Sequence, residues 1–317
     1  MRSYPKYKDV GVQWLGEIPE DWNLNKLSRL SYMKGRIGWQ GLKQSEFTTN
    51  IDDPFLITGM NFKDGVIRWN EVYHISYARY EMAPEIQLKD NDVLITKDGT
   101  IGKLLFVNKI PYPYNASLNS HLLVFRPLNG SYYPKYLFYQ LKSLPFKYHI
   151  ELTKSGTTFF GITQEAVGQY KFILPSFSEQ QQIASYLDHK ISQIDALTEK
   201  KKQLIDLLKE ERTAVINEAV TKGLDPDVPM KDSGIEWLGE MPEHWDFVKG
   251  KYLFKILSGY APNDVEIVKD GSCQYFKVND LNTLEDNLNL SNSTAQIEIE
   301  SNKVYEDGII LFPKKGC

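Results

Sequence analysis

Three features of the sequence predict an α+β fold. Short apolar runs are separated by Gly, Asn and Pro. The stretch from Ser178 to Lys222 holds no Pro or Gly. One phrase is written twice, WLGEIPEDW at 14–22 and WLGEMPEHW at 237–245. Together they predict a domain with a twisted β-sheet and short helices (1–177), a long coiled-coil-type helix (178–222), and a partial second copy of the domain (223–317).

Within the first domain, the β-rich runs at 93–96, 103–107 and 122–125 read as strands. Residues 134–143 read as a helix, with Pro134 tolerated in its first turn. Thr163 precedes a short capped helix, and 170–174 is a strand closed by Pro175. For the long helix, Ser178-Glu179-Gln180-Gln181 offers a capping box. Leu187, Ile194, Lys201, Leu208 and Val215 recur every seven residues, with Leu197 and Leu204 interleaved. That heptad seam calls for a helical partner. At ~1.5 Å per residue the helix would be roughly 65 Å long, ending at Gly223 and the Pro226/Pro229 pair.

The repeat extends beyond the phrase. Lys8-Asp9-x-Gly11 matches Lys231-Asp232-x-Gly234 at the same offset. Phe55-Leu56-Ile57-Thr58 is echoed by Gln274-Tyr275-Phe276-Lys277, and Asp92–Ile95 by Gly308–Leu311, each of these before a lysine- and glycine-containing turn. Three matches in the same order indicate two copies of one unit, the second breaking off midway. The tryptophan-bracketed phrase itself reads as a packed clasp where each copy opens.

Composition narrows the function. The chain has 317 residues, 42% apolar and 25% charged, with no apolar run long enough to span a bilayer and no secretory signal at its start. Two distant cysteines, Cys273 and Cys317, point to a reducing cytoplasm and away from disulfide or zinc frameworks. The net charge of −4 conceals an asymmetry: +5 over 1–177, −1 over 178–222 and −8 over 223–317.

Between Asp98 and Glu151 no acid occurs, while six Lys/Arg, two His and eleven Tyr/Phe do. Such a stretch suits a nucleic-acid face, with cations on phosphates and amides on base edges. The plainer reading is an aromatic core with solvated lysines. The loop from Thr96 to Lys103 joins two glycines to Lys97, Thr100 and Lys103, though it lacks the spacing of a nucleotide-binding P-loop. Asn119, Ser120 and His121 offer donors and acceptors together; for His121 a purely structural role stands beside this one. Arg36, Trp39 and Lys43 form a second cationic-aromatic turn, and Lys154, Thr157 and Thr158 a third. No constellation of catalytic or metal-binding residues is discernible.

WLGEIPEDW, GRIGWQGLK, SGTTFFGIT and ILPSFSEQQQIASYLDHKISQIDAL, followed by the reopened WLGEMPEHW, together resemble a specificity subunit of a type I restriction–modification system across the whole chain. The resemblance implies two target-recognition domains, each followed by a long helix and each reading half of a bipartite site in double-stranded DNA. The helices would act as spacer and as docking surface for methyltransferase (modification) subunits, joined by a restriction subunit. It implies no active site here and no cofactor bound by this chain. S-adenosylmethionine, ATP and Mg2+ would belong to the partner subunits. The family pattern would complete a second domain and helix where this sequence stops at Cys317. Two readings follow: a DNA-reading subunit with one intact recognition domain, whose unpaired helix could form a homodimer, or an interaction protein that occupies methyltransferase subunits without productive DNA reading.

Overall fold

A computed structural model describes residues 4–12, 15–37, 41–65, 67–154, 161–257, 267–268, 271–282, 293–298 and 309–311. Two compact units divide the chain, Met1–Glu211 and Arg212–Cys317. The fold is mixed α and β with one long helix, as the sequence predicts.

The first unit opens with a hairpin, β1 (Tyr7–Asp9) and β2 (Glu17–Pro19), followed by β3 (Asn23–Lys26), α1 (Leu27–Leu30) and β4 (Ser31–Lys34). Next come β5 (Phe55–Ile57), β6 (Tyr73–His74), α2 (Tyr77–Glu81), β7 (Val93–Thr96), β8 (Leu104–Phe106), β9 (Ala116–Leu118) and β10 (Leu122–Pro127). Helices α3 (Pro134–Lys142), α4 (Leu144–Thr153) and α5 (Gln164–Gly168) lead through β11 (Lys171–Leu174) into α6 (Phe177–Lys222). An antiparallel sheet runs β4-β10-β7-β8, a second runs β6-β5-β9, and β11 pairs with β3.

Period-two patterning sorts the central strands between two cores. Val93, Ile95, Leu123 and Phe125 join Leu27, Leu137, Phe146, Tyr170 and Phe172 on the helical side. Leu94, Leu122 and Val124 join Phe55, Ile57, Leu105 and Leu118 on the side of the smaller sheet. All four residues of β7 are buried, as expected of a strand covered on both faces. Each such side chain contributes about 1.5–3 kcal/mol by leaving water.

The predicted strand at 103–107 is shorter than its apolar run. The Lys103 N–H is also held by Thr96 Oγ1 (2.9 Å) at the mouth of the β7–β8 loop. β10 is longer, because its pairing with β4 continues to Pro127↔Ser31, a strand end where proline's missing N–H does little harm. Helix α4 was not anticipated. Pro145 sits in its first turn and marks a fresh start, not an end.

The cap of α6 lies two residues before the predicted one, at Ser176. Ser176 Oγ accepts from Glu179 N (3.3 Å), and Gln180 N closes the first turn on Ser176 O (2.9 Å). Ser178 is already inside the helix, so the predicted box from Ser178 to Gln181 is not formed and Ser176 is the capping serine. Among the described residues no helix is long and apolar enough to cross a membrane.

The second unit repeats the opening of the first. Its strands β12 (Met230–Asp232) and β13 (Glu240–Pro242) pair Lys231↔Met241 as β1 and β2 pair Lys8↔Ile18, at a constant offset. Asp232 Oδ1 accepts from Gly234 N at 2.9 Å, as Asp9 Oδ1 does from Gly11 N at the same distance. Both glycines are left-handed, at φ of 70° and 65°, a conformation that favours glycine. Then β14 (Ile267–Val268), β15 (Cys273–Tyr275), α7 (Val278–Asn282) and β16 (Ala295–Ile297) form a small sheet in the order β14-β16-β15 with one short helix. In the last echo 309–311 carry no strand, and Gly308 and the following lysines lie outside the described residues.

The clasp reading holds for one tryptophan of each pair. Trp22 donates from Nε1 to Glu179 in the first turn of α6 (3.2 Å). Trp245 lies over Gly223, the residue following α6, where a Cβ would meet its ring at 3.5 Å. Trp237 is instead 84% exposed, and Trp14 is outside the described residues.

Candidate nucleic-acid interface

Strand directions gather the candidate loops. β5 and β9 run parallel with Ile57 beside Leu118, so the chain leaves both at the same edge. There Asn119 N donates to Ile57 O (2.8 Å). β10 returns antiparallel to β7 with Leu122 opposite Thr96, so the 119–121 turn lies against the start of the β7–β8 loop. Lys97 N donates to His121 O (2.9 Å) across that junction. A third segment closes in from α5's side: Ile162 N donates to Lys97 O (2.8 Å), and Gly161 bridges Asp98.

The β7–β8 loop is braced from inside. The buried Thr96 hydroxyl donates to Thr100 O and accepts from Lys103 N. Gly99 and Gly102 take φ of 66° and 81°, which let the chain fold back over that hydroxyl. Thr100, Lys103 and His121 are exposed, and Lys97, Asn119 and Ser120 partly so. Asn119 turns its Oδ1 back to Ser120 N (2.7 Å), shaping the turn. Six of the predicted residues therefore meet at one edge.

The remaining predicted residues fare differently. Lys154 closes α4 and pairs with Glu151 of the same helix. Thr157, Thr158 and Trp39 lie outside the described residues. Lys43 is exposed on a segment tethered by Arg79, which bonds Glu46 (2.8 Å) and Gly41 O (2.7 Å). Arg36 is 3% exposed, so its side chain is not on the surface where DNA would lie. Its Nε donates to Leu118 O (2.9 Å) and its Nη2 to Ser117 Oγ (3.2 Å), tying the strand β9 just before Asn119. Burial, with Arg79 nearby, lowers its pKa to about 10, which still leaves it charged at neutral pH. It positions the turn from below.

The acid-free stretch is not one face. Phe125, Tyr132, Tyr136, Phe138 and Phe146 are core. Lys135 pairs with Asp188 of α6 (2.8 Å). His149 is half-buried with its Nε2 on Ala166 O (2.7 Å), and burial lowers its pKa despite that bond. Here the plainer reading of core aromatics accounts for most of the segment, and its 99–103 start and 119–121 turn are the parts that reach the loop edge.

Two participants went unforeseen. Asp98 Oδ1 lies 2.5 Å from His121 Nδ1, so an acid does stand at this edge and orients the imidazole. Its signal was its place, the last acid before the acid-free run. The other is the Thr58–Asn61 turn, whose Gly59 approaches Thr96: a Cβ there would sit 3.9 Å from Thr96 Cγ2. Among the described residues no group of three or more His, Cys, Asp or Glu could hold a metal ion.

With this geometry in view, the comparisons are informative. The family model for the type I restriction modification DNA specificity domain matches residues 19–207. The chain is 28% identical over 267 residues to a putative type I restriction enzyme MjaX specificity subunit of Methanocaldococcus jannaschii, covering 81% of this chain and 59% of that protein. It is 26% identical over 275 residues to the MjaVIII specificity subunit of the same organism, covering 82% and 57%. The chain thus spans less than two thirds of the length of these curated relatives. A solved structure described under complex assembly and conformational transition of the type I R-M system shares the fold at a TM-score of 0.53 and 22% identity, over 69% of this chain and 49% of that one. Since the family model covers more than half of the sequence, the chain belongs to the type I restriction modification DNA specificity domain family.

Proposed function

We propose that this chain is a non-catalytic, cytoplasmic DNA-reading subunit of a type I restriction–modification complex, its first recognition domain reading half of a bipartite site. The observation that carries this is the convergence of the 97–103, 119–121 and 161–162 segments on one edge of the first domain. Lys97 and Lys103 are suited to phosphates, and Thr100, Asn119, Ser120 and His121 to base edges. Trp39, Lys43, Lys154, Thr157 and Thr158 are assigned as further DNA contacts. We assign 1–177 to recognition, 178–222 to the spacer and 223–317 to the opening of a second reader. The helix presents its seam to methyltransferase subunits, which would carry S-adenosylmethionine, while ATP and Mg2+ serve the restriction subunit.

Gel-shift titration across salt, with methyltransferase partner present, tests the assignment. Each phosphate contact contributes about 0.9 to the slope of log K against log salt. Replacing both Lys97 and Lys103 by Ala should weaken binding and flatten that slope by about 2. Unchanged affinity and slope would remove both lysines from the interface.

A further inference from the structure

Thr58-Gly59-Met60-Asn61 leaves β5 at the loop edge, and its hydrogen bonds hold it shut. Asn61 Oδ1 accepts from Thr58 N (2.8 Å) and Thr58 Oγ1 (3.0 Å), and Asn61 N donates to Thr58 O (3.1 Å). Phe62 anchors the next residue in the core. Met60, at the tip, is nonetheless 80% exposed.

The second unit contains the same turn. Lys277 N donates to Asp280 Oδ2 (2.7 Å) and Asp280 N to Lys277 O (3.0 Å), matching Thr58 and Asn61 in the echo already noted. The tip there is Asn279, also exposed. The two copies keep the pinning bonds, made by Asn61 in one and Asp280 in the other, and differ in the displayed side chain. The Met60 side chain takes no part in the bonds that hold the turn.

We propose that Met60 is a specificity-determining residue whose thioether contacts a thymine methyl group in the major groove. The inference rests on the DNA-reading function above. Its chemistry is selective because methionine has no N–H or O–H with which to read a base edge, and the thymine C5-methyl is the apolar feature of the major groove. Methionine's flexible, polarisable chain suits such a contact.

The test uses the full chain in its native complex and a randomised duplex library. Once a preferred site is selected, each thymine in turn is replaced by deoxyuridine, which lacks only the methyl group. Wild type should lose about fourfold in affinity at one thymine, the worth of burying one methyl group. Met60→Asn and Met60→Ala should be insensitive to that replacement, with an unchanged salt slope. If wild type and both variants select the same site and respond alike to every deoxyuridine, the role of Met60 is overturned while DNA reading stands. A wild type that selects no sequence at all would overturn DNA reading, and the Met60 assignment with it.

Discussion

At the scale of single residues, the frame beneath the loops depends on an ion pair. Arg126 grips Asp92 with two bonds, Nε to Oδ1 (2.6 Å) and Nη2 to Oδ2 (2.7 Å), and Asp92 is almost wholly buried. Burial raises the Asp92 pKa, and Arg126 with the Lys89 N–H opposes that rise. Removing one partner of a buried pair typically costs about 3–5 kcal/mol, because the other charge is stranded. Arg126→Ala should therefore destabilise the fold by that order in urea titration. With the cation gone, the folded carboxyl takes up a proton more readily than the unfolded one, which titrates near about 3.9. The deficit should consequently be largest at neutral pH and shrink as pH falls. Neither Arg126 nor Asp92 stood out in the sequence as a pair, since 34 residues separate them. The same blindness made Arg36 look like a surface cation: sequence records a charge but not the depth at which β9 receives it.

At the scale of elements, strands and helices with a clear period were legible, and those defined by long-range pairing were not. β7 and α3 lie where their apolar patterns put them, whereas β5, β6 and β9 are strands of two or three residues whose identity comes from each other. The sequence puts the start of α6 two residues late, because Ser176 and Ser178 both precede acceptable helix formers. What secures that start is tertiary. Gln180 is 1% exposed; its Oε1 accepts from Tyr133 N (2.8 Å) and its Nε2 donates to Pro175 O (3.0 Å). Tyr139 and Lys135 then hold Asp188, two turns further on. Gln180→Ala should leave a buried N–H and C=O unsatisfied and cost about 1–3 kcal/mol by chemical denaturation. Gln180→Glu, which keeps the acceptor and loses the donor, should also destabilise, since it places a charge where an amide is buried.

At the scale of the whole molecule, the seam along α6 is exposed among the described residues. Ile194, Leu197, Leu204, Leu208 and Val215 are each more than half exposed, and only Leu187, near the start, is partly buried. Isolated long helices with an apolar seam are driven to pair. We expect the purified chain to self-associate at micromolar concentration unless a methyltransferase subunit covers the seam. Leu197→Glu combined with Leu208→Glu should render it monomeric in light scattering; a wild type already monomeric would rule out self-pairing.

The loop edge and the helix latch draw on different parts of the first domain. The 58–61, 97–103 and 119–121 turns hang from strand ends, whereas Gln180 and Asp188 are held by Tyr133, Lys135 and Tyr139 at the start of and along α3. Between them, β7 is buried on both faces and tolerates little change. Such an arrangement separates what is inherited from what can drift. If the tips read DNA as proposed, mutation there would alter the sequence that is read at small thermodynamic cost, while the residues that align the helix stay under their own constraint. On that reading, new targets would be within reach of single substitutions on a scaffold that does not have to be refolded to accept them.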